Sequence, residues 1–266
     1  MTTKTDTGIP GNVLNEELSE QELNGLSAAG DTLHGGNDKD SLLGGSGNDT
    51  IYGDAGSSWS SNAGDDDYIS GGSGNDSLEG QAGDDTVLGG SGNDYVGGGY
   101  GNDELHGGSM NDTLMGDWGD DSLYGGEGND SLSSSDNGIG NDLMDGGEGN
   151  DHIHGGDGSD TLFGGEGNDT IYGGNGNDII MGGEGDDALS GGSGADLFIF
   201  GHDHGHDLIT DFDPAQDRLQ FQLADSTGLT VTQANGSTII TYGETVITLQ
   251  GQELTFEQVL GLSSFV

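Results

Sequence analysis

Residues 164–181 read GGEGNDTIYGGNGNDIIM, which is one nine-residue unit written twice with small changes. The shared pattern is G-G-x-G-x-D-x-U-x, where U is an apolar residue. The same pattern occurs upstream, as GGSGNDTIY at residues 44–52 and GGSGNDSLE at residues 71–79. A fixed period held over a long stretch predicts a repeat architecture in which each unit packs against its neighbours.

The nine-residue register runs without a slip from Gly35 to Ser133 and again from Gly146 to Ile199. The unit between them, Ser134–Asp145, has three extra residues, so we expect an insert near residues 134–145. A degenerate unit, Leu26–His34, precedes the first regular one.

One unit departs from the pattern, because Ser58 and Ser60 replace its aspartate and its apolar residue. We therefore expect a loop near residues 53–64. In every other unit the sixth position is aspartate, which makes these residues the candidate metal ligands: Asp31, Asp40, Asp49, Asp67, Asp76, Asp85, Asp94, Asp103, Asp112, Asp121, Asp130, Asp142, Asp151, Asp160, Asp169, Asp178, Asp187 and Asp196.

The chemistry of the unit points to a turn followed by a strand. Glycine adopts left-handed backbone angles at little cost, so the first six residues can make a tight turn with inward-facing carbonyls. The last three residues form a short strand that directs U to the interior. Two units complete one coil, so we expect aspartates eighteen residues apart, such as Asp49–Asp67 and Asp76–Asp94, to stack along an edge. A hard cation between stacked turns could take a carboxylate from each and carbonyl oxygens as well.

The charge of the chain requires such a cation. The sequence has 49 acidic residues against three basic ones, a formal net charge of −46, and 29% hydrophobic residues. That composition is typical of disordered chains, which repel themselves and bury too little to fold. Fifteen stacked aspartate pairs, each with one divalent ion, would change the charge from −46 to −16. Phosphate would be repelled, so a nucleic-acid partner is not expected.

Other classes are disfavoured by what the sequence lacks. It has no cysteine, no apolar run of membrane-spanning length and no secretory signal at its N-terminus. It has no H-E-x-x-H zinc motif and no G-x-S-x-G nucleophile motif. We therefore expect no enzyme and no membrane span.

The nonapeptides resemble the repeats-in-toxin family, also called hemolysin-type calcium-binding repeats, over roughly residues 26–266. The resemblance implies an all-β fold, a right-handed parallel β-roll solenoid, and calcium ions bound by the sixth-position aspartates. It also implies folding outside the cell after export by a type I secretion system. The departures from the glycine pattern include Asp54, Asn62, Ala63, Gln81, Met110 and Asp117. Met110 puts the turn at residues 107–112 in doubt.

Three regions follow from these patterns. Residues 1–29 are expected to be a leader or a capping helix, with an amphipathic helix at 16–26. Residues 30–199 form the calcium-binding roll. Residues 200–266 are similar to the ends of serralysin-type proteins, and they are expected to supply a β cap and the secretion signal. Strands are predicted at 229–233, 237–242 and 244–249, and a helix at 255–260.

Two groups in the C-terminal region remain open. Asp203, Asp207, Asp211, Asp213 and Asp217 could add calcium ligands or could be solvated loop carboxylates. His202, His204 and His206 alternate and could form a transition-metal site, although a polar loop fits them as well.

Two functions remain. One is a secreted calcium-binding protein with a structural or adhesive role. The other is a carbohydrate-binding module like those attached to alginate epimerases, which would bind extracellular polysaccharide through outward-facing aromatic residues. Strict alternation of units predicts that Tyr52, Tyr124 and Phe163 share one face with Ser70, Leu88, His106 and Met181.

Overall fold

The structure is a computed structural model that describes residues 2–5, 13–15, 21–24, 30–36, 38–54, 64–134, 140–202, 204–222, 226 and 228–265. Most of the predicted loop near 53–64 and part of the predicted insert near 134–145 lie outside these residues. In the described part of the chain, no helix is long and apolar enough to cross a membrane.

Short strands recur through the chain, and each regular one begins just after a sixth-position aspartate. The strands are β1 Thr2–Thr5, β2 Val13–Asn15, β3 Gln21–Asn24, β4 Thr32–Gly36, β5 Ser41–Ser46, β6 Thr50–Asp54, β7 Tyr68–Ser73, β8 Ser77–Ala82, β9 Thr86–Ser91, β10 Tyr95–Tyr100, β11 Glu104–Ser109, β12 Thr113–Trp118, β13 Ser122–Glu127, β14 Ser131–Ser133, β15 Leu143–Glu148, β16 His152–Asp157, β17 Thr161–Glu166, β18 Thr170–Asn175, β19 Ile179–Glu184, β20 Ala188–Ser193, β21 Leu197–Phe200, β22 His206–Ile209, β23 Arg218–Phe221, β24 Thr230–Ala234, β25 Ser237–Tyr242, β26 Thr245–Leu249 and β27 Ser263–Phe265. Helix α1 covers Phe256–Leu262.

These strands alternate between two sheets, which confirms the parallel β-roll. Sheet I contains the odd-numbered strands from β1 to β23 and ends with β27. Sheet II contains the even-numbered strands from β2 to β22 and ends with β26, β25 and β24. Regular neighbours pair in parallel at a spacing of eighteen residues, as Leu105 does with Leu123. Two units therefore make one coil.

The residue spacing between paired strands changes around residues 53–61, the unit that departs from the repeat pattern. Ser41 pairs with Tyr68, and Thr50 pairs with Ser77, each across twenty-seven residues. The expected stacking of Asp49 on Asp67 is therefore wrong. Both pairings pass over the unit with Ser58, whose residues 55–61 lie outside the described part of the chain; its sequence lacks both the apolar residue that would fill the core and the aspartate of the turn.

The core is one column of apolar side chains between the sheets. The U residues from Leu33 to Leu189 are all essentially inaccessible to solvent. Burial of such a side chain contributes about 1.5–3 kcal/mol, and strands of three to six residues need it because each has few other contacts. The column continues into the C-terminal region through Phe198, Ile209 and Leu219.

The C-terminal region closes the column with a β cap, as predicted. Strands β24, β25 and β26 form an antiparallel meander on sheet II. Asn235 and Gly236 have positive φ angles of 54° and 77°, as a tight hairpin turn requires. Helix α1 begins after Thr255, whose side chain accepts a hydrogen bond from the Gln258 N–H in a capping box. Val259 on this helix is fully buried and covers the end of the core.

The predicted helix at 16–26 is wrong over its described part, because residues 21–24 form strand β3. This strand pairs in parallel with both β1 and β5. The roll offers an open sheet edge at this end, and pairing satisfies backbone groups that a helix would leave exposed on the edge. Residues 16–20 and 25–29 of the predicted leader or capping helix lie outside the described part.

Candidate metal sites

The sixth-position aspartates form two ladders, one along each turn edge of the roll. In a typical step, Asp103 Oδ1 accepts a hydrogen bond of 2.8 Å from the Asp85 N–H. Asp121 Oδ1 accepts in the same way from the Asp103 N–H at 2.9 Å. All eighteen predicted aspartates belong to these ladders. The first comprises Asp31, Asp49, Asp76, Asp94, Asp112, Asp130, Asp151, Asp169 and Asp187. The second comprises Asp40, Asp67, Asp85, Asp103, Asp121, Asp142, Asp160, Asp178 and Asp196.

In most of these side chains the second carboxylate oxygen is buried and accepts no hydrogen bond from the described residues. Asp103, for example, is only 2% exposed, yet its Oδ2 has no partner. A buried charged oxygen without a partner costs several kcal/mol. The members with this arrangement include Asp49, Asp67, Asp76, Asp85, Asp94, Asp103, Asp112, Asp121, Asp130, Asp151, Asp160, Asp169, Asp178 and Asp196.

These oxygens face main-chain carbonyls across a small cradle. A Cβ placed on Gly89 would lie 2.7 Å from Asp94 Oδ2 and 2.6 Å from the Gly107 carbonyl oxygen of the next coil. A side chain would thus fill the space on which the two oxygens converge, which explains the glycine. An all-oxygen cradle between coils suits a hard cation such as calcium.

Main-chain oxygens must supply much of the coordination. Within the described ranges, no three His, Cys, Asp or Glu side chains converge in a way that could hold a metal ion. A cation in the ladder would therefore meet at most a pair of carboxylates. Calcium accepts six to eight oxygen ligands, including backbone carbonyls, with little demand on their geometry. The donor set fits calcium better than metals that need nitrogen or sulfur.

The electrostatics of the metal-free ladders are unfavourable. The pKa of Asp67 is raised to about 8, chiefly by burial and also by the carboxylates of Asp85 and Asp40, against the lowering effect of the Asp40 N–H. Burial likewise raises the pKa of Asp103 to about 8 and that of Asp76 to about 6. The carboxylates therefore resist ionisation unless positive charge enters the ladder.

The turn with Met110 keeps the common geometry. Met110 takes the left-handed conformation with φ of 78°, as Gln81 and Asp117 do at 84° and 70°. Asp112 Oδ1 still accepts from the Asp94 N–H at 2.8 Å. The doubt about this turn is therefore removed, although a non-glycine residue in this conformation costs about 1–2 kcal/mol.

A second pair of ladders, formed by the fifth position, was missed by the sequence analysis. Asn93 Oδ1 accepts from the Asn111 N–H at 3.0 Å, and Asn111 Oδ1 accepts from the Asn129 N–H at 2.9 Å. Here the later coil donates to the earlier one, which is the reverse of the aspartate ladders. The signal was present in the recurring G-N-D, where the residue before the aspartate is almost always Asn or Asp.

The C-terminal aspartates take different roles. Asp207 and Asp217 extend the two ladders by one step, because they accept from the N–H groups of Asp187 and Asp196 at 3.2 and 3.1 Å. Asp211 instead accepts from the N–H groups of residues 191 and 192. Asp213 accepts within its own turn from Ala215 and Gln216. Asp203 lies outside the described residues.

The three alternating histidines do not converge. His202 lies 3.4 Å from the Tyr242 hydroxyl, and His204 Nε2 accepts from the Gly201 N–H at 3.2 Å. The His206 N–H donates to Asp186. The three histidines have different hydrogen-bond partners, so the described atoms favour the polar loop over a transition-metal site.

The strand pairing also corrects the prediction of which outward-facing residues share a face with Tyr52. Tyr52 pairs with Glu79 in sheet II, whereas Tyr124 pairs with His106 and Asp145 in sheet I. Tyr52 therefore does not share a face with Tyr124. The row on sheet I instead includes Leu43, which pairs with Ser70. The error came from counting the unit at 53–61 as a rung.

Comparison with known families agrees with the ladders. The RTX calcium-binding nonapeptide repeat (four copies) matches residues 27–59, 62–96, 97–132, 136–171 and 163–198. The chain belongs to the RTX calcium-binding repeat family. The RTX repeats bind calcium, and a roll with this many of them binds several ions.

Two solved structures are similar to parts of the RTX chain. The extracellular lipase LipA from Serratia marcescens is 18% identical, with a TM-score of 0.30, over 95% of this chain. The chain spans 41% of that lipase. The AlgE6R3 subunit of the Azotobacter vinelandii mannuronan C5-epimerase is 28% identical, with a TM-score of 0.21, over 48% of this chain and 78% of the subunit. No curated protein is similar enough to count as a relative. The TM-scores are too low to carry an argument about function.

Proposed function

We propose that this chain is a secreted structural or adhesive protein whose roll folds when calcium fills the aspartate ladders. The observation that carries the proposal is the row of buried carboxylate oxygens without hydrogen-bond partners, typified by Asp94 and Asp103. The sixth-position aspartates are the proposed side-chain ligands, and the carbonyls of the turn glycines complete the shell. Asp207 and Asp217 are proposed to extend each row.

The charge makes folding dependent on the calcium concentration. A chain with a formal charge of −46 and a thin core cannot stay compact against its own repulsion. Calcium binds the folded turns and not the extended chain, so each ion adds to the stability of the roll. We infer that the chain stays unfolded at the low free calcium of a cytosol and folds at the millimolar levels outside. An unfolded chain also suits passage through a narrow exporter.

A calcium titration followed by far-UV circular dichroism tests this proposal. We expect little strand signal in chelator and a cooperative increase as calcium is added. Magnesium is the matched control, because it demands a small octahedral shell and keeps its waters; it should produce much less folding at equal ionic strength. A complete strand signal in chelator would overturn the proposal.

Export is tested separately. The chain is coexpressed with a type I secretion system, and full-length protein is compared with a chain ending at Glu253, before helix α1. We expect only the full-length chain in the medium. The calcium response of both purified chains is then measured, so that loss of export is distinguished from loss of folding. Equal export of the two chains would exclude a signal in the last residues.

A further inference from the structure

A cavity of about 600 Å³ lies on the edge where turns lead from sheet II to sheet I. Its floor is formed by the fourth-position glycines Gly83, Gly101 and Gly119. Tyr100 and Trp118 line it from the third position, and Asp66, Asp84 and Asn102 line it from the fifth. Four successive coils contribute to this lining, each through one or more of its third, fourth and fifth positions, so the cavity runs along the axis of the roll.

The two aromatic residues are unusual at their position. The other regular repeats carry Ser, Glu, Asp, Asn, Ala or Gly as third residue, and only this pair of successive coils carries rings. The rings of Tyr100 and Trp118 stack with centroids 4.3 Å apart and planes within 6°. Both stand outside the apolar core and outside the aspartate ladders.

The opposite wall is acidic. Asp66 and Asp84 each use Oδ1 to accept an N–H of the next coil, from Asp84 at 3.0 Å and from Asn102 at 2.8 Å. These bonds fix the side chains beside the cavity and leave Oδ2 of each out of the ladder. Among the described residues, no Lys or Arg lines the cavity. The combination of aromatic rings and fixed carboxylates attracts a cation that also has an apolar body.

We propose that this cavity binds a small organic ammonium ion, with its apolar groups against Tyr100 and Trp118 and its charge toward Asp66 and Asp84. An anionic ligand is disfavoured by the carboxylates and by the large negative charge of the chain. A neutral sugar could stack on the rings, but it would gain nothing from that charge. The side chains proposed to bind the ammonium ion do not belong to the aspartate ladders, and the proposal does not depend on secretion.

The test is isothermal titration calorimetry of the calcium-saturated chain with choline. Its uncharged isostere, 3,3-dimethylbutan-1-ol, has the same shape and should bind roughly tenfold more weakly or not at all. The double variant Tyr100→Ser, Trp118→Ser should abolish binding; serine already stands at this position in neighbouring repeats, as at Ser91 and Ser109. Far-UV circular dichroism verifies that it folds with calcium.

The charge is tested by Asp84→Asn, which keeps the Oδ1 acceptor and should weaken choline binding roughly fivefold. Asp120→Asn is the matched control, because Asp120 belongs to the same fifth-position row but does not line the cavity. It should leave binding unchanged. Equal binding of choline and its isostere, equal effects of Asp84→Asn and Asp120→Asn, or preference for a neutral sugar would each overturn the proposal. If the aromatic double variant fails to fold, the Asp84 and Asp120 pair still decides it.

Discussion

Replacing Asp103 by asparagine should change stability in opposite directions with and without calcium. Asparagine keeps an oxygen that can accept from the Asp85 N–H, so the ladder bond of 2.8 Å is retained. It replaces the buried Oδ2, which has no partner, by an uncharged amide group. The substitution thus removes one charge from the ladder with almost no change of shape.

The structure gives the size of the effect in chelator. The pKa of Asp103 is about 8 against an ordinary 3.8, so ionising it in the metal-free roll at pH 8 costs on the order of 5 kcal/mol. Leaving the new amide partly without partners costs about 1–3 kcal/mol. The Asp103→Asn variant should therefore stabilise the metal-free roll by about 2–4 kcal/mol. In calcium the same variant loses a ligand, and affinity at the affected sites should fall on the order of 10- to 100-fold.

Far-UV circular dichroism measures folding of the variant both in chelator and in calcium. In chelator at pH 8, trimethylamine N-oxide is titrated to drive folding, and the variant should fold at a lower osmolyte concentration. In a calcium titration it should fold at a higher calcium concentration. Asp120→Asn, which changes an exposed carboxylate, should shift neither midpoint. If Asp103→Asn weakened folding in both solutions, the reasoning that metal relieves a buried charge would be refuted.

Three further predictions use the same assays. Because burial raises the pKa of Asp67 to about 8 and of Asp76 to about 6, the metal-free roll binds more protons than the unfolded chain. Its stability is thus highest below an unfolded pKa of about 4 and is lost as the pH rises through the folded values. Strand signal in chelator should grow between pH 8 and pH 5, while the calcium midpoint should rise. Leu123→Ala, at a fully buried core position, should cost about 2–5 kcal/mol in urea denaturation with calcium, against less than about 0.5 kcal/mol for exposed Thr113→Ala. Met110→Gly should stabilise by about 0.5–1 kcal/mol by relieving its φ of 78°, whereas Met110→Ala should not.

The sequence was sufficient for the features that depend on the repeat itself. The U residues are in the core, the sixth-position aspartates are in two edge ladders, and the hairpin at Asn235 is in place. The repeat pattern predicts these features correctly because every regular unit packs against neighbours of the same kind. Each position of the repeat therefore has the same environment in every coil.

The wrong predictions concern units whose neighbours are not regular repeats. The skipped unit at 53–61 shifted the partners of Asp49 and the face of Tyr52, because register is a property of pairing across coils. The helical spacing near residues 21–24 was overridden by the sheet edge of β5. The repeat pattern did not predict the stack of Tyr100 on Trp118, because it specifies no residue type at its third position.

The twenty-seven-residue step between β5 and β7 has a consequence for how such a chain can change length. The inward-facing residues of sheet I and sheet II are of the same kinds. The core and the turns therefore accept a given repeat unit equally well in either sheet. Deleting nine residues would leave them satisfied but would move every later strand to the opposite side of the roll. The outer surfaces, including Tyr124 and Phe163, would exchange places while the inside stayed as it was. The twenty-seven-residue step keeps the later strands in their present sheets, whereas a nine-residue deletion elsewhere in the roll would exchange them.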